Sequence, residues 1–117
     1  MDLELNGKIA LVTGAATGLG RTIAESLAVE GAKVGVNFRS KPEQADAVVD
    51  AIQNAGGTAV AVRADLTSDD DVETMFEQME KELGPVNVLV NHAAFCPTSP
   101  TAELAAAQFL PPVHVNL

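Results

Sequence analysis

The sequence predicts an α/β protein, a doubly wound parallel sheet with helices on both faces. Three observations carry this expectation. Short apolar runs rich in β-branched residues alternate with longer segments whose apolar residues recur at helical spacing, and glycines stand at most of the junctions. The runs lack the polar alternation of a half-wet sheet, so each strand is expected to be covered on both faces. Strands joined through a helix are expected to be parallel, because the helix carries the chain back along the sheet.

Ile9-Ala10-Leu11-Val12 is the first apolar run, and it ends at a glycine turn. Leu19, Ile23 and Leu27 follow at i, i+4, i+8 and are closed by Gly31, which predicts the first helix. Lys33 to Asn37 forms the second strand. Ser40-x-x-Glu43 then reads as a capping box opening a helix with the stripe Ala45, Val48, Val49, Ile52 and Ala55, ended by Gly56-Gly57. Thr58 to Ala64 is the third strand.

The third helix is expected to begin near Thr67 or Ser68. Asp69, Asp70 and Asp71 fall in its first turn, where the helix dipole favours anions, and they read as solvated charges rather than a metal site. Its inward stripe is Val72, Met75, Phe76, Met79 and Leu83, and Gly84-Pro85 stops it. Val86 to Val90 makes a fourth strand. Beyond it, Ala102 to Gln108 suits one or two helical turns, and a further helix is expected to restart at Pro111-Pro112 and run to the end. That leaves about four strands, with the fourth as an open edge.

Composition narrows the function. Among 117 residues, 16 acids outnumber 7 cations, giving a net charge of −9, which argues against a nucleic-acid partner. The start, Met1-Asp2-Leu3-Glu4, carries acids where a signal peptide needs cations, and no apolar run is long enough to span a bilayer. A single cysteine, Cys96, fits a reducing compartment, so the expectation is a cytoplasmic protein without a membrane partner. Residues 83–117 hold one charged side chain, Glu103, and offer a surface for self-association. His92 and His114 have no evident partner and read as structural residues, Cys96 reads as a free thiol rather than a nucleophile, and no metal site is expected.

Thr13-Gly14-Ala15-Ala16-Thr17-Gly18-Leu19-Gly20 carries the chemistry. Glycines between a buried strand and a helix permit a tight turn, let backbone approach a pyrophosphate, and aim helix N–H groups at it. No Gly-Lys-[Ser/Thr] follows, so this is not a P-loop, and the Gly-x3-Gly-x-Gly spacing differs from the common Gly-x-Gly-x-x-Gly fingerprint.

That spacing resembles the short-chain dehydrogenases/reductases, whose signature is Thr-Gly-x3-Gly-x-Gly, and the likeness continues in register. Leu5-x-Gly7-Lys8 through Gly14 resembles the family's opening strand, Asp65-Leu66-Thr67-Ser68 its adenine-contacting segment, and Val90-Asn91-His92-Ala93-Ala94 its Asn-Asn-Ala-Gly segment. Val115-Asn116-Leu117 is similar to the helix segment that bears the family's catalytic asparagine. The resemblance implies a Rossmann-like domain. It implies cofactor contacts from Gly14, Ala16, Thr17, Gly18, Leu19 and Gly20 around the pyrophosphate, and from Asp65, Leu66, Asn91, Ala93 and Ala94 along the dinucleotide. Asn116 is the one family catalytic position present.

The end of the second strand selects the cofactor. An acid there would bind the ribose hydroxyls, but this chain has Asn37-Phe38-Arg39-Ser40-Lys41. Arg39, with Ser40, suits a 2′-phosphate, and similar family members use that position for NADP(H), so NADP(H) is favoured over NAD(H). The plainer alternative is solvated loop charge with Ser40 as a helix cap.

Departures from the family matter as much. Asn87 stands for an Asp, His92 for an Asn and Ala94 for a Gly. The family reduces a carbonyl, or oxidises an alcohol, with a Tyr acid/base whose pKa a nearby Lys lowers, beside a Ser; this chain contains no Tyr. The expectation is one partial dinucleotide-binding domain over residues 1–117, truncated before the Ser, Tyr and Lys, and inactive as it stands. The alternative is a genuine short non-catalytic protein binding a dinucleotide or a partner. A methyl-donor-binding domain ranks last, because that class wants an acid where Asn37 to Lys41 stand.

Overall fold

The computed structural model describes residues 5–16 and 18–92, together with the backbone of 113–116. In chain order the elements are β1 (Ile9–Thr13), α1 (Gly18–Val29), β2 (Lys33–Phe38), α2 (Pro42–Asn54), β3 (Thr58–Arg63), α3 (Asp69–Glu82), β4 (Val88–Asn91) and β5 (Val113–Asn116). The strands form one parallel sheet in the order β3-β2-β1-β4-β5. This is the Rossmann-like arrangement, wound outward in both directions from β1 and β4.

Side-chain alternation along β1 assigns the two faces. Ala10 and Val12 point into a cluster with Ala24 of α1 and Val48 and Ile52 of α2. Ile9 and Leu11 point the other way, against Met75, Phe76 and Met79 of α3. All five residues of β1 are buried, as a strand sandwiched between two helical layers must be. The α3 stripe lies where its spacing places it, with Val72, Met75, Phe76 and Met79 buried and Leu83 partly so. Gly35 in β2 makes room for this layer, since a Cβ there would collide with the Met79 sulfur.

Helix α1 is seated differently. It buries Gly20 and Ala24, with Ile23, Leu27 and Ala28 at the margin, whereas Leu19 is 57% exposed. The helix approaches the sheet through its smallest residues, which turns the expected stripe by one position. Helix α2 starts without a capping box: Lys41 is its N-cap, Pro42 opens it, and no side chain caps it. Proline presets the helical φ and has no N–H to be capped, so the start moves past Ser40. Ser68 does cap α3, accepting a hydrogen bond from the Asp71 N–H at 3.2 Å.

The C-terminal expectation is corrected. Val113–Asn116 is a strand rather than a helix, parallel to β4 with Val88 opposite Val113 and Asn91 opposite Asn116. Val113 and Val115 alternate at period two, and β4 offers a row of backbone groups that a strand can pair and a helix cannot. β4 is therefore an inner strand, and β5 takes the edge. The segments 102–108 and 111–112 lie outside the described residues. Among the described residues no helix is long and apolar enough to cross a membrane.

Candidate functional site

The sheet order reverses direction between β1 and β4. Such a switch point opens a crevice, the usual ligand position in an open α/β sheet. Thr13 and Asn91 end the two strands side by side, and the segment that follows Thr13 leads into α1 at Gly18.

Three glycines shape this turn in distinct ways. Gly14 and Gly18 both adopt φ of 61°, a conformation that side chains resist, and a Cβ on Gly18 would meet open space. Gly20 is needed for close approach: a Cβ there would collide with the Gly14 carbonyl oxygen and lie 2.9 Å from His92 Cδ2. The first turn of α1 contains no acidic residue. The dipole at its N-terminus is thus met by no carboxylate of that turn, and Leu19 lies exposed there. This cradle fits a pyrophosphate, which needs backbone donors and little side-chain bulk.

Two polar residues hold the cradle in place. Asn37, 3% exposed, accepts from the Gly14 N–H through Oδ1 at 3.2 Å, while its backbone carbonyl accepts from the Ala15 N–H at 3.1 Å. Its Nδ2 points to the Val62 carbonyl and the Met75 sulfur, each 3.4 Å away. Asn37 therefore ties the glycine turn to β2, β3 and α3. Only its place in the cofactor-selecting segment was legible; the signal for the anchoring role is one amide at the end of an otherwise apolar strand.

Thr13 does the same toward β4. Its hydroxyl donates to Asn91 Oδ1 at 3.0 Å, with the Val90 carbonyl at 3.4 Å, and accepts from the His92 N–H at 2.9 Å. At the opposite end of these strands, Asn87 Oδ1 accepts from the Ile9 N–H at 2.9 Å, and its own N–H donates to the Ile9 carbonyl at 2.8 Å. Asn in place of Asp keeps that acceptor.

A second group lies at the ends of β2 and β3. The Arg39 side chain is 74% exposed, with Nη2 3.8 Å from Asp65 Oδ2, and Ser40 is exposed next to it. Asp65 Oδ1 accepts from the Thr67 hydroxyl at 2.6 Å and the Thr67 N–H at 2.9 Å. The hydroxyl first, then that N–H, hold the Asp65 carboxyl below the usual range against some desolvation, with Arg39 and Arg63 adding to the effect. Leu66 is half-buried against the α3 face of the core. Asp71 is not simply solvated, contrary to the expectation for its run: it bonds Arg63 at 2.6 Å and the Asp65 N–H at 2.9 Å, whereas Asp69 and Asp70 are exposed.

The expected site residues thus form two groups. Gly14, Ala16, Gly18, Leu19, Gly20 and Asn91 surround the switch point, and Arg39, Ser40, Asp65 and Leu66 lie toward the β3 side. The backbone of Asn116 comes level with Asn91 at the carboxyl edge. Thr17, Ala93 and Ala94 lie outside the described residues. Among the described residues no cluster of His, Cys, Asp and Glu could hold a metal ion.

Comparison with known proteins agrees with this geometry. The family model for short chain dehydrogenase matches residues 8–117. The "Short-chain dehydrogenase/reductase homolog YusS" of Bacillus subtilis is 41% identical over 105 residues, which cover 90% of this chain and 96% of that protein. A 2-dehydro-3-deoxy-D-gluconate 5-dehydrogenase of Formosa agariphila is 32% identical over 97% of this chain but 43% of its own length. The crystal structure of a dehydrogenase/reductase from Sinorhizobium meliloti superposes with a TM-score of 0.74 at 44% identity, covering 76% of this chain and 35% of that one. The chain thus spans nearly all of the Bacillus relative and less than half of the Formosa dehydrogenase. With the glycine turn, the switch-point crevice and the match along almost its whole length in agreement, the chain belongs to the short-chain dehydrogenase family, whose members use nicotinamide dinucleotide cofactors.

Proposed function

We propose that this chain is the NADP(H)-binding N-terminal portion of a short-chain carbonyl reductase or alcohol dehydrogenase. The observation that carries the reading is the cradle at the switch point. There Gly20 is pressed against Gly14, and the first turn of α1 has no acid of its own. The turn and the N-terminus of α1 would hold the pyrophosphate, with Ala16, Thr17 and Leu19 beside it. Asn91, Ala93 and Ala94 would line the nicotinamide side, and Asp65 and Leu66 the adenine side. Arg39 and Ser40 would take the 2′-phosphate, which favours NADP(H) over NAD(H). When bound, the dinucleotide supplies or accepts the hydride.

The 117-residue chain contains no Tyr and therefore none of the family's usual acid/base, so the reading includes its inactivity. Asn116 is the sole catalytic position of the family that it carries. Residues 1–117 are read as one partial domain of a cytoplasmic protein, with no nucleic-acid or membrane partner. Titration with NADPH and NADH tests the cofactor reading: NADPH binds more tightly, and Arg39→Ala reduces the preference about tenfold, the scale of a charge-assisted hydrogen bond. Equal affinities would remove it. Carbonyl-dependent NADPH oxidation by the pure chain would refute the inactivity.

A second reading is a short non-catalytic dinucleotide-binding or partner-binding protein. It is favoured by the Bacillus relative, 96% of which this chain covers. In that case the nearly uncharged stretch 83–117 is the surface for self-association, and sedimentation of the pure chain gives a defined oligomer. An aggregating, partly unfolded chain would count against it.

A further inference from the structure

A capping box normally closes on itself, with the carboxylate at the third helical position bonding the N–H of the capping residue. In α3 only half of this happens. Ser68 Oγ accepts from the Asp71 N–H at 3.2 Å, but the Ser68 N–H donates to the Asp65 carbonyl at 3.0 Å. The Asp71 carboxylate is thereby released, and Oδ2 accepts from the Asp65 N–H at 2.9 Å and from Arg63 Nη1 at 2.6 Å. Arg63 in turn donates from Nε to the Arg39 carbonyl at 3.2 Å. One ion pair therefore grips the backbone of both residues that face the adenosine end, Arg39 after β2 and Asp65 after β3.

We propose that Arg63 and Asp71 are positioning residues for cofactor selection, setting where the Arg39 guanidinium stands relative to the 2′-phosphate. This rests on the NADP(H) reading above. Arg63 serves through geometry more than charge: its planar fork donates to Asp71 and to the Arg39 carbonyl from one rigid group, which a lysine cannot copy. The pair also keeps Asp71 from competing with the ligand for Arg39, since its carboxylate is already engaged by Arg63 and by backbone. Asp65 remains as the acidic neighbour of Arg39, at 3.8 Å, a contact loose enough for a phosphate to displace.

The test is the ratio of NADH to NADPH dissociation constants, measured by titration of the full chain and of Asp71→Asn, Arg63→Lys, Arg39→Ala and the double variant Arg39→Ala/Asp71→Asn. Melting temperatures are recorded alongside. Asp71→Asn and Arg63→Lys are expected to lower the ratio about threefold to fivefold, the range of one exposed charged contact. In the Arg39→Ala background, Asp71→Asn is expected to change nothing further. A merely structural role would weaken both cofactors alike and leave the ratio where it was. Arg63→Lys retains the charge opposite Asp71, so it decides the matter if Asp71→Asn does not fold. A wild-type chain that prefers NADPH, with variants that keep its ratio or lower it equally without Arg39, would overturn the positioning role alone. A wild-type chain with no preference would overturn the cofactor reading and the positioning role together.

Discussion

Helices α1 and α3 both begin at the carboxyl edge of the same sheet, yet their first turns are opposites. Helix α3 answers its own dipole with Asp69, Asp70 and Asp71 and caps itself with Ser68. Helix α1 opens on Gly18-Leu19-Gly20 with no acid, beside a turn whose glycines at 14 and 18 hold φ of 61°. Equal backbone partial charges therefore meet unequal side chains. The α3 start is answered by its own side chains, whereas on the proposed reading the α1 start receives an anion from outside. Position in the sheet explains the difference, because α1 leaves from the switch point and α3 begins at the end of the outer strand β3.

The largest effect is expected at Gly20. In an exposed helix interior, Gly→Ala gains about 1 kcal/mol. Gly20→Ala is expected to lose about 1–3 kcal/mol instead, because the new Cβ runs into the Gly14 carbonyl and overpacks the turn. Urea unfolding reads the sign, and NADPH titration of the same protein is expected to show binding lost.

Leu19→Asp gives the start of α1 what α3 already has. NADPH affinity is expected to fall about tenfold from like-charge repulsion. Stability is expected to hold or rise by about 0.3–1 kcal/mol, since the acid answers the dipole and Leu19 is exposed. Parallel affinity and melting measurements should move in opposite directions; a joint fall would mean that Leu19 packs more than its exposure suggests. Ser68→Ala is the converse at α3 and is expected to cost about 1 kcal/mol in chemical denaturation, through loss of the cap on the Asp71 N–H.

The smallest effect is with pH. The Asp65 carboxyl titrates below the ordinary 3.8 in the folded chain, held there chiefly by the Thr67 hydroxyl and N–H. Its stabilisation is therefore complete above that unfolded value and lost as pH falls through the lower folded one. Asp65→Asn is expected to flatten the acid limb of the stability curve below pH 3.8 and to leave the slope near neutrality unchanged. An unaltered acid limb would assign that limb to other carboxylates.

How much was legible in the sequence follows from what each element packs with. The stripe Val72, Met75, Phe76 and Met79 announced α3 because large apolar residues make the contact. The first helix was misjudged at Leu19 because Gly20 and Ala24 make its contact, and small residues leave little periodic signal. Val113–Asn116 looked helical from its proline pair and family likeness, while its strand state depends on pairing with β4, a long-range event. The glycine turn was readable from its place between a buried strand and a helix. What fixes it, the Asn37 amide reaching across to Gly14 and Val62, requires strands distant in sequence to be neighbours in space. Asp71 was hidden for the same reason, since its partner Arg63 belongs to β3.

If the α1 start, and not the α3 start, receives the dinucleotide phosphates, an amide-resolved NMR titration of the chain with NADPH shows it directly. The largest shifts are expected at the N–H groups of Gly14, Gly18, Leu19 and Gly20, with a second set at Arg39 and Ser40 and little change at Asp69 and Asp70. Shifts centred on the first turn of α3, or none along the glycine turn at saturating NADPH, would contradict it.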